Sequence, residues 1–271
     1  MRRLLFLLIF TSNSLYAKAS DFEFHFREGN RYAKEFQNEK ALGEYKQASE
    51  INPQSFEARL KYLKTNNSIG QDLRDHHADE KITESFFKKN VELAEKLAQD
   101  FPNRTESPFC LAIAYGNLAL YSSAREKVKL SQNIEKNLKR SIELDPNYPY
   151  AYLGLGIFYR EVSKISFLER FFADLFFGEI PHSTLEDAEK YFRLSIERDP
   201  KFIFTHYNYA ITLQNAAKLD EAAKEYQIVL NLPATDSGDS FLKEISRKAL
   251  LEIQSNYPSI IMNQQSATAA P

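Results

Sequence analysis

The chain has 271 residues, with 35 Lys and Arg against 37 Asp and Glu, which gives a formal net charge of −2. This balance excludes a strongly basic protein that binds nucleic acid by general electrostatic attraction, and no nucleic-acid-binding motif is present. Only 8 Gly and 43% hydrophobic residues suit an all-helical chain.

The first residues have the composition of a secretory signal. Arg2 and Arg3 form a short positive region, Leu4–Phe10 is apolar, and Ala17 and Ala19 flank one residue in a small-x-small cleavage pattern. The apolar run is shorter than a membrane-spanning helix requires. We therefore expect a signal peptide over residues 1–19 and an exported, periplasmic protein. The alternative is a retained N-terminal membrane anchor.

A pattern of small and aromatic residues begins next and recurs downstream. Its copies are Gly29-x2-Tyr32 with Ala41-x3-Tyr45-x2-Ala48-x4-Pro53, Tyr152-x2-Leu155-Gly156-x2-Tyr159, Ala188-x3-Phe192-x2-Ser195-x4-Pro200, and His206-x2-Tyr209-Ala210-x2-Leu213 with Ala222-x3-Tyr226. This is the spacing of the tetratricopeptide (TPR) unit, a pair of antiparallel helices of ~34 residues. It predicts an all-α fold, a TPR-type α-solenoid of four to five hairpins over residues 20–255.

The ends of the repeat array are also predicted. Repeat stacking needs a terminal helix that covers the last apolar face, and we expect this capping helix near residues 239–254. Its predicted apolar stripe is Phe241, Ile245, Ala249, Leu250 and Ile253. The segment 256–271 is rich in Ser, Gln and Ala and is expected to be disordered.

The helix-ending prolines are spaced too widely for plain repeats. Pro53, Pro102, Pro146, Pro200 and Pro233 follow one another at intervals of 49, 44, 54 and 33 residues. The three long intervals predict insertions near residues 66–82, 122–132 and 162–182. Insertions in a repeat array often form binding surfaces.

The insertion at residues 162–182 is the most unusual of the three. It predicts an amphipathic helix ended by Gly178 and Pro181, with Lys164, Glu169 and Arg170 on its polar side. Its candidate binding residues are Phe167, Phe171, Phe172, Leu175 and Phe176. We expect this helix to fold back and plug the concave groove of the repeats. The alternatives are a lid over an apolar ligand, or a surface that meets a partner or a membrane.

The groove itself is predicted from positions 2, 5, 9 and 12 of each first helix, which share one face. The candidate groove residues are Phe26, Asn30, Phe109, Ile113, Leu153, Ile157, Arg160, Phe204, Tyr207 and Ile211, with Tyr150 and Gln214 beside them. This wall is mainly aromatic and aliphatic. Co-chaperone TPR domains hold a terminal carboxylate with Lys and Asn, and only Asn30 matches that arrangement, so capture of acidic C-terminal peptides is disfavoured.

Catalytic and metal-binding motifs are absent from the sequence. There is no Gly-rich phosphate loop, no Gly-x-Ser-x-Gly and no His-Glu-x-x-His. The cluster at residues 75–80 contains His76 and His77, but adjacent histidines rarely face one metal on a helix, and a solvated acidic loop is favoured. The single Cys110 lies in an apolar stretch and is expected to be a buried thiol. No enzyme activity, cofactor or metal is expected.

Three stretches resemble a known family. Ser163–Glu169, Leu175–Ala188 with its Phe-Gly-Glu-Ile-Pro ending, and Leu230–Thr235 are similar to the regulator of microtubule dynamics family, over roughly residues 85–255. The resemblance implies a TPR protein associated with microtubules, or one that tethers organelles and handles phospholipid. This chain differs in its predicted export signal, and a microtubule partner is not expected of an exported protein.

Two classes of function follow from these patterns. The first is a non-catalytic exported scaffold that binds a protein partner through its groove and insertion helix. The second is a carrier or sensor of a lipid or other apolar molecule, with peripheral membrane contact, or an accessory component of a periplasmic solute-uptake system. A closed cavity between the insertion and the groove favours the carrier, whereas a separate exposed patch favours the scaffold.

Overall fold

The computed structural model describes residues 2–235 and 237–257, with side chains from residues 18 to 235 and 238 to 257. Within these residues the chain is all helical and contains no strand, as predicted. The helices are α1 (Arg2–Lys34), α2 (Asn38–Ile51), α3 (Phe56–Asp75), α4 (Glu80–Asp100), α5 (Glu106–Ala119), α6 (Ala124–Leu144), α7 (Pro149–Ser163), α8 (Phe167–Phe176), α9 (Leu185–Arg198), α10 (Ile203–Asn215), α11 (Leu219–Asn231) and α12 (Ser237–Asn256).

The chain forms two compact units, Met1–Ser123 and Ala124–Pro271. In the first unit, each of the helices α1 to α4 packs against the next one along the chain. In the second unit, α7 pairs with α9 and α10 with α11, while α6 packs on α7 and α12 on α11. This sequential pairing of antiparallel helices is the TPR arrangement that defines the α-solenoid class.

The repeat motif acts through close contacts between paired helices. A Cβ atom at Gly156 of α7 would lie 2.9 Å from Cε1 of Phe192 on α9, and a Cβ atom at Gly29 of α1 would lie 2.7 Å from the ring of Tyr45 on α2. Both rings are buried. Small residues at these two positions therefore let the second helix of each pair approach the first.

The insertions do not all form loops. Residues 66–75 lengthen α3, and residues 124–132 lengthen α6, so these two helices have 20 and 21 residues. The chain between α3 and α4 is short, and Asp79 begins α4 by accepting hydrogen bonds from the backbone N–H groups of Lys81 and Ile82. The predicted acidic loop at residues 75–80 is therefore wrong at its two ends, because Asp75 belongs to α3 and Glu80 to α4.

The predicted C-terminal helix is present as α12, but its buried stripe differs from the predicted one. Leu250 and Ile253 are buried, together with Ser246, whereas Phe241 is exposed. The buried positions are spaced by four and then three residues, so they form one helical face. Phe241 lies outside that face, because Asp239 is the buried residue in the first turn of α12.

The predicted terminal segments have different outcomes. Helix α1 runs through the expected cleavage site after Ala19 without interruption, and the signal peptide stays a prediction. The expected disordered tail overlaps α12 at Asn256, and residues 258–271 lie outside the described residues. Across the described part of the chain, no helix combines the length and the apolar character needed to cross a bilayer.

Candidate functional site

The insertion helix α8 is held in place by its polar residues. Ser166 and Glu169 form a capping box at its first turn. Arg170 donates hydrogen bonds through Nη1 to the carbonyl oxygens of Ile180 and Pro181, both at 3.1 Å. Its Nη2 donates to the carbonyl oxygen of Val162 at 3.3 Å. The guanidinium thus ties α8 to the last turn of α7 and to the segment that follows α8.

Further contacts fix the segment that follows α8. Asp174 accepts a hydrogen bond from the backbone N–H of Ile180 at 3.1 Å, and the side chain of Gln132 on α6 donates to the carbonyl oxygen of Glu179 at 2.7 Å. Gly178, with φ of +113°, ends the helix in a conformation that glycine adopts readily. Thr184 then begins α9 with a capping box.

The apolar side of α8 faces away from the repeats. Phe167 is 84% exposed, Phe171 53% and Phe176 65%, while Ala173 is the one buried residue of the helix. Phe172 stacks on Phe176 with ring centroids 6.3 Å apart. The expectation that this helix plugs the groove is wrong. Arg170 on its polar side is bound by backbone carbonyl groups, and α8 packs against α6 instead.

We use the name α7–α10 face for the predicted groove residues of the second unit, where α7 and α10 are in contact. Leu153 and Arg160 are buried, Phe204 is exposed, and Ile157, Tyr207 and Ile211 are half-buried. Arg160 joins the two helices, because its Nη1 donates to the carbonyl oxygen of Asn208 at 3.1 Å and to Oδ1 of the same residue at 3.2 Å. At the first turn of this face, the ring of Tyr150 lies 5.1 Å from that of Phe202.

The other predicted groove residues lie in the first unit. Asn30 of α1 accepts a hydrogen bond from the hydroxyl of Tyr45 at 3.0 Å, and the ring of Phe26 lies 6.2 Å from that of Tyr45. Phe109 of α5 packs against a buried cluster formed by α3, α4 and α5, and Ile113 is half-buried one turn later. Asn30 is thus engaged within its own hairpin.

The sequence analysis missed an asparagine network in the first unit. Oδ1 of Asn67 on α3 accepts hydrogen bonds from Asn90 at 3.1 Å and from Asn117 at 2.8 Å. Asn90 in turn accepts from the side chain of Asn66 at 3.3 Å. The pair Asn66 and Asn67 was visible in the sequence, but its partners are more than 20 residues away. Only the fold brings these amides together.

Two titratable groups have perturbed surroundings but no catalytic arrangement. Burial raises the pKa of the Cys110 thiol to about 12, so it stays protonated and weakly nucleophilic. Burial also raises the pKa of Tyr115 to about 12, as does its hydrogen bond to Glu95. The prediction of a buried structural thiol is confirmed.

Known structures share this fold. A thermophilic TPR protein of Thermus thermophilus aligns with a TM-score of 0.60 and 18% identity, over 89% of this chain and 99% of that one. PilF of Pseudomonas aeruginosa aligns with a TM-score of 0.52 and 13% identity, over 94% of this chain and all of the other. At these identities the likeness shows the fold alone.

Curated relatives and a family model are similar to this chain. Regulator of microtubule dynamics protein 2 of Bos taurus is 27% identical over 148 residues, which are 54% of this chain and 36% of that protein. The Homo sapiens protein of the same name is 24% identical over 163 residues, 60% of this chain and 40% of its own length. The chain thus spans less than half of these relatives. The family model for regulator of microtubule dynamics protein 1-3 matches residues 26–254, and the chain therefore belongs to this family.

Proposed function

We propose that the protein is an exported, non-catalytic TPR scaffold that binds a protein partner through the apolar side of α8 and through the α7–α10 face. One observation carries the proposal: the insertion helix is tied to the protein by Arg170, which donates to backbone carbonyl groups, while its phenylalanines are exposed. A helix that only packed on its own repeats would show the opposite orientation. Clustered exposed apolar side chains mark interaction surfaces in water-soluble proteins.

The free energy gained by burying exposed phenylalanines supports the binding of a partner at α8. Fully burying one phenylalanine contributes about 1.5–3 kcal/mol relative to leaving it exposed. Five phenylalanines lie at residues 167–177, and all of them are exposed. The anchoring contacts of Arg170 and Asp174 hold the helix in one orientation, so a partner does not have to order it, and less conformational entropy is lost on binding.

Site-specific crosslinking in cells tests the proposal. A photo-reactive amino acid at Phe172 should yield a covalent adduct with a protein, which mass spectrometry identifies. The same group at Glu252, exposed on α12, is the matched control and should yield none. Exchanging Phe171 and Phe176 for Ser should abolish the adduct without loss of helical content.

The alternative function is an outcome of the same experiment. If Phe172 crosslinks to lipid and to no protein, the apolar side of α8 contacts a membrane or a lipid cargo, and the scaffold proposal is wrong. Equal protein adducts from Phe172 and Glu252 would also contradict it, because they would indicate random collisions. Helix α8 contacts α6 and its phenylalanines are exposed, which favours the scaffold over a carrier with α8 as lid.

A further inference from the structure

Arg160 has hydrogen-bond donors that the protein itself does not use. The residue is only 7% exposed, yet it carries a guanidinium group with five N–H donors. Nε donates to Glu161 at 3.0 Å, and Nη1 donates to Asn208. Among the described residues, Nη2 has no partner. A nearly buried cation with an unused edge is costly unless water or a ligand satisfies it.

Two other polar groups on the same face lack a described partner. The hydroxyl of Tyr207 makes no hydrogen bond to the described residues. The hydroxyl of Tyr226 donates to Oε1 of Gln214, which leaves the Nε2 amide of Gln214 unused. Tyr207 and Gln214 both belong to α10, at the groove positions that correspond to Leu153 and Arg160 on α7.

Contacts link these groups: Arg160 donates to Asn208, the residue next to Tyr207, and Tyr226 contacts both the ring of Tyr207 and the side chain of Gln214. Burial raises the pKa of Tyr207 and of Tyr226, and the positive charge of Arg160 opposes the rise in both. The rings of Tyr207 and Tyr226 lie 6.4 Å apart. We use the name donor cluster for the three unused donors of these linked residues: Arg160 Nη2, the Tyr207 hydroxyl and the Gln214 amide. Ile157 and Ile211 flank it with half-buried apolar side chains.

We infer that the donor cluster binds one carboxylate of a peptide segment whose neighbouring side chains are apolar. This inference rests on the proposed scaffold function and specifies the chemistry of the partner. The sequence disfavoured capture of acidic C-terminal peptides, because Lys and Asn are missing from most groove positions. In the structure Arg160 supplies the cation instead, and Arg is well suited to bidentate recognition of carboxylates.

The charge of the site favours a carboxylate over a phosphate. Arg160 is already paired with Glu161 through Nε, so little positive charge remains for a ligand. A phosphate monoester carries a charge of about −1.5 to −2 at pH 7 and is matched by clusters of cations. The remaining donors at the cluster, Tyr207 and Gln214, are neutral. A singly charged acceptor with apolar neighbours fits this arrangement.

Calorimetric titration of the whole purified chain with a small probe tests the inference. The probe is the tripeptide acetyl-Gly-Leu-Phe with a free terminal carboxylate, and its C-terminal amide is the matched control ligand. We expect the acid to bind at least tenfold more tightly than the amide. Equal affinities for the acid and the amide would overturn the inference.

Three variants locate the binding. Arg160→Gln should reduce binding of the acid by at least tenfold, and Tyr207→Phe, which keeps the ring, should reduce it about threefold. Lys164→Gln removes an exposed positive charge that pairs with the same Glu161 and should leave affinity unchanged. If Arg160→Gln does not fold, Tyr207→Phe decides the question: unchanged binding by this variant contradicts the inference.

Two further binding measurements distinguish a lipid headgroup from a peptide carboxylate and the α8 surface from the donor cluster. Phosphatidylcholine vesicles that contain phosphatidic acid should not bind more tightly than phosphatidylcholine vesicles alone. Binding that depends on phosphatidic acid and on Arg160 would replace the carboxylate by a lipid headgroup and overturn the inference. The Phe171 and Phe176 serine variant should bind the tripeptide normally, so loss of the α8 partner and loss of the carboxylate site are measured independently.

Discussion

At the scale of single residues, His206 shows how the fold defines a protonation state. Its Nδ1 lies 2.7 Å from Oε2 of Glu225 and its Nε2 lies 3.0 Å from the carbonyl oxygen of Pro200. Both neighbours are acceptors, so both hydrogen bonds form only when the ring carries two protons. Burial lowers the pKa of this imidazole, but Glu225, Pro200 and the nearby charge of Asp199 outweigh burial and raise it.

The raised pKa of His206 makes the stability of the second unit depend on pH. The stabilising contribution is fully present below the ordinary histidine pKa of about 6.5 and is lost as pH rises through the higher folded-state pKa. His206→Gln should therefore lower the free energy of unfolding by about 1.5–3 kcal/mol at pH 5.5. The difference from the parent chain should shrink by pH 8.5. Urea unfolding at several pH values measures both.

The control for this prediction is His182→Gln, which changes a histidine outside the buried core of the same unit. It should leave stability unchanged at every pH. A loss of stability in His206→Gln that stays constant between pH 5.5 and pH 8.5 would show that the residue contributes through packing alone.

Residue-level chemistry was only partly predictable from the sequence. His206 occupies a position of the repeat pattern, and its ring is buried. Its partners could not be predicted, because Glu225 lies 19 residues away and the Pro200 acceptor is a backbone carbonyl. For the same reason, the sequence did not predict the hydrogen bonds of Asn67 or the unused Nη2 group of Arg160. Sequence spacing along one helix indicates which face a residue occupies, but not what lies opposite it.

At the scale of elements, α8 shows why an amphipathic pattern does not determine the direction of burial. The pattern predicted a helix at residues 162–182, and α8 is present as Phe167–Phe176. The prediction that its phenylalanines point inward is wrong, because Arg170 and Asp174 make the hydrogen bonds to the neighbouring backbone. A hydrophobicity pattern carries no information on such long-range hydrogen bonds.

The anchoring role of Arg170 can be tested through the dynamics of α8. Arg170→Gln should remove three hydrogen bonds to carbonyl groups and speed amide hydrogen exchange over residues 166–181. Because α8 buries only Ala173, the free energy of unfolding of the whole chain should change by less than about 1 kcal/mol. Lys164→Gln, which breaks an exposed ion pair with Glu161, is the control and should leave exchange in α8 unchanged. Unchanged exchange in Arg170→Gln would show that other contacts hold the helix.

The contact between paired helices gives a second prediction at this scale. Gly156→Ala would place Cβ 2.9 Å from the ring of Phe192, which is fully buried and has no room to move. We expect a loss of about 1–3 kcal/mol from overpacking. Gly116→Ala is the matched control, since no atom lies within 4 Å of the added Cβ. It should raise stability by roughly 0.5–1 kcal/mol, because alanine favours the helix. Chemical denaturation of both variants measures these changes, and equal effects would contradict the packing argument.

At the scale of the whole molecule, the helical composition and the repeat spacing were sufficient to predict the all-α TPR fold. Both depend on local patterns that recur, so each copy supports the others. The numbers of residues between helix-ending prolines predicted where extra residues lie. They did not predict that two of the insertions lengthen α3 and α6. That outcome depends on whether the added residues continue the helical periodicity, which a count of residues between prolines does not measure.

Removal of the predicted signal peptide should not disturb the repeats. The contacts from α1 to α2 include Oε2 of Glu44 with Nδ1 of His25 at 2.7 Å and the packing of Gly29 and Phe26 on Tyr45. All these α1 residues follow Ala19. A chain that begins at Ser20 should therefore unfold at the same temperature as the full chain. A chain that begins at Asn30 should be less stable by about 2 kcal/mol or more, because the Phe26 contact is lost. Calorimetry of the three chains compares them, and destabilisation of the Ser20 chain would show that residues 1–19 belong to the fold.

Export itself is the last prediction. The family match begins at residue 26, so the charged and apolar N-terminal segment lies outside the matched region, where a removable signal is compatible with the fold. When the full chain is produced in a Gram-negative host, the mature protein should reach the periplasm and begin at Ser20, as intact-mass measurement will show. Exchanging Ala17 and Ala19 for Leu should block cleavage, because the peptidase requires small residues there. Ser14→Ala, outside the cleavage pattern, should be processed normally. Recovery of the parent chain from the cytoplasm with Met1 retained would contradict export.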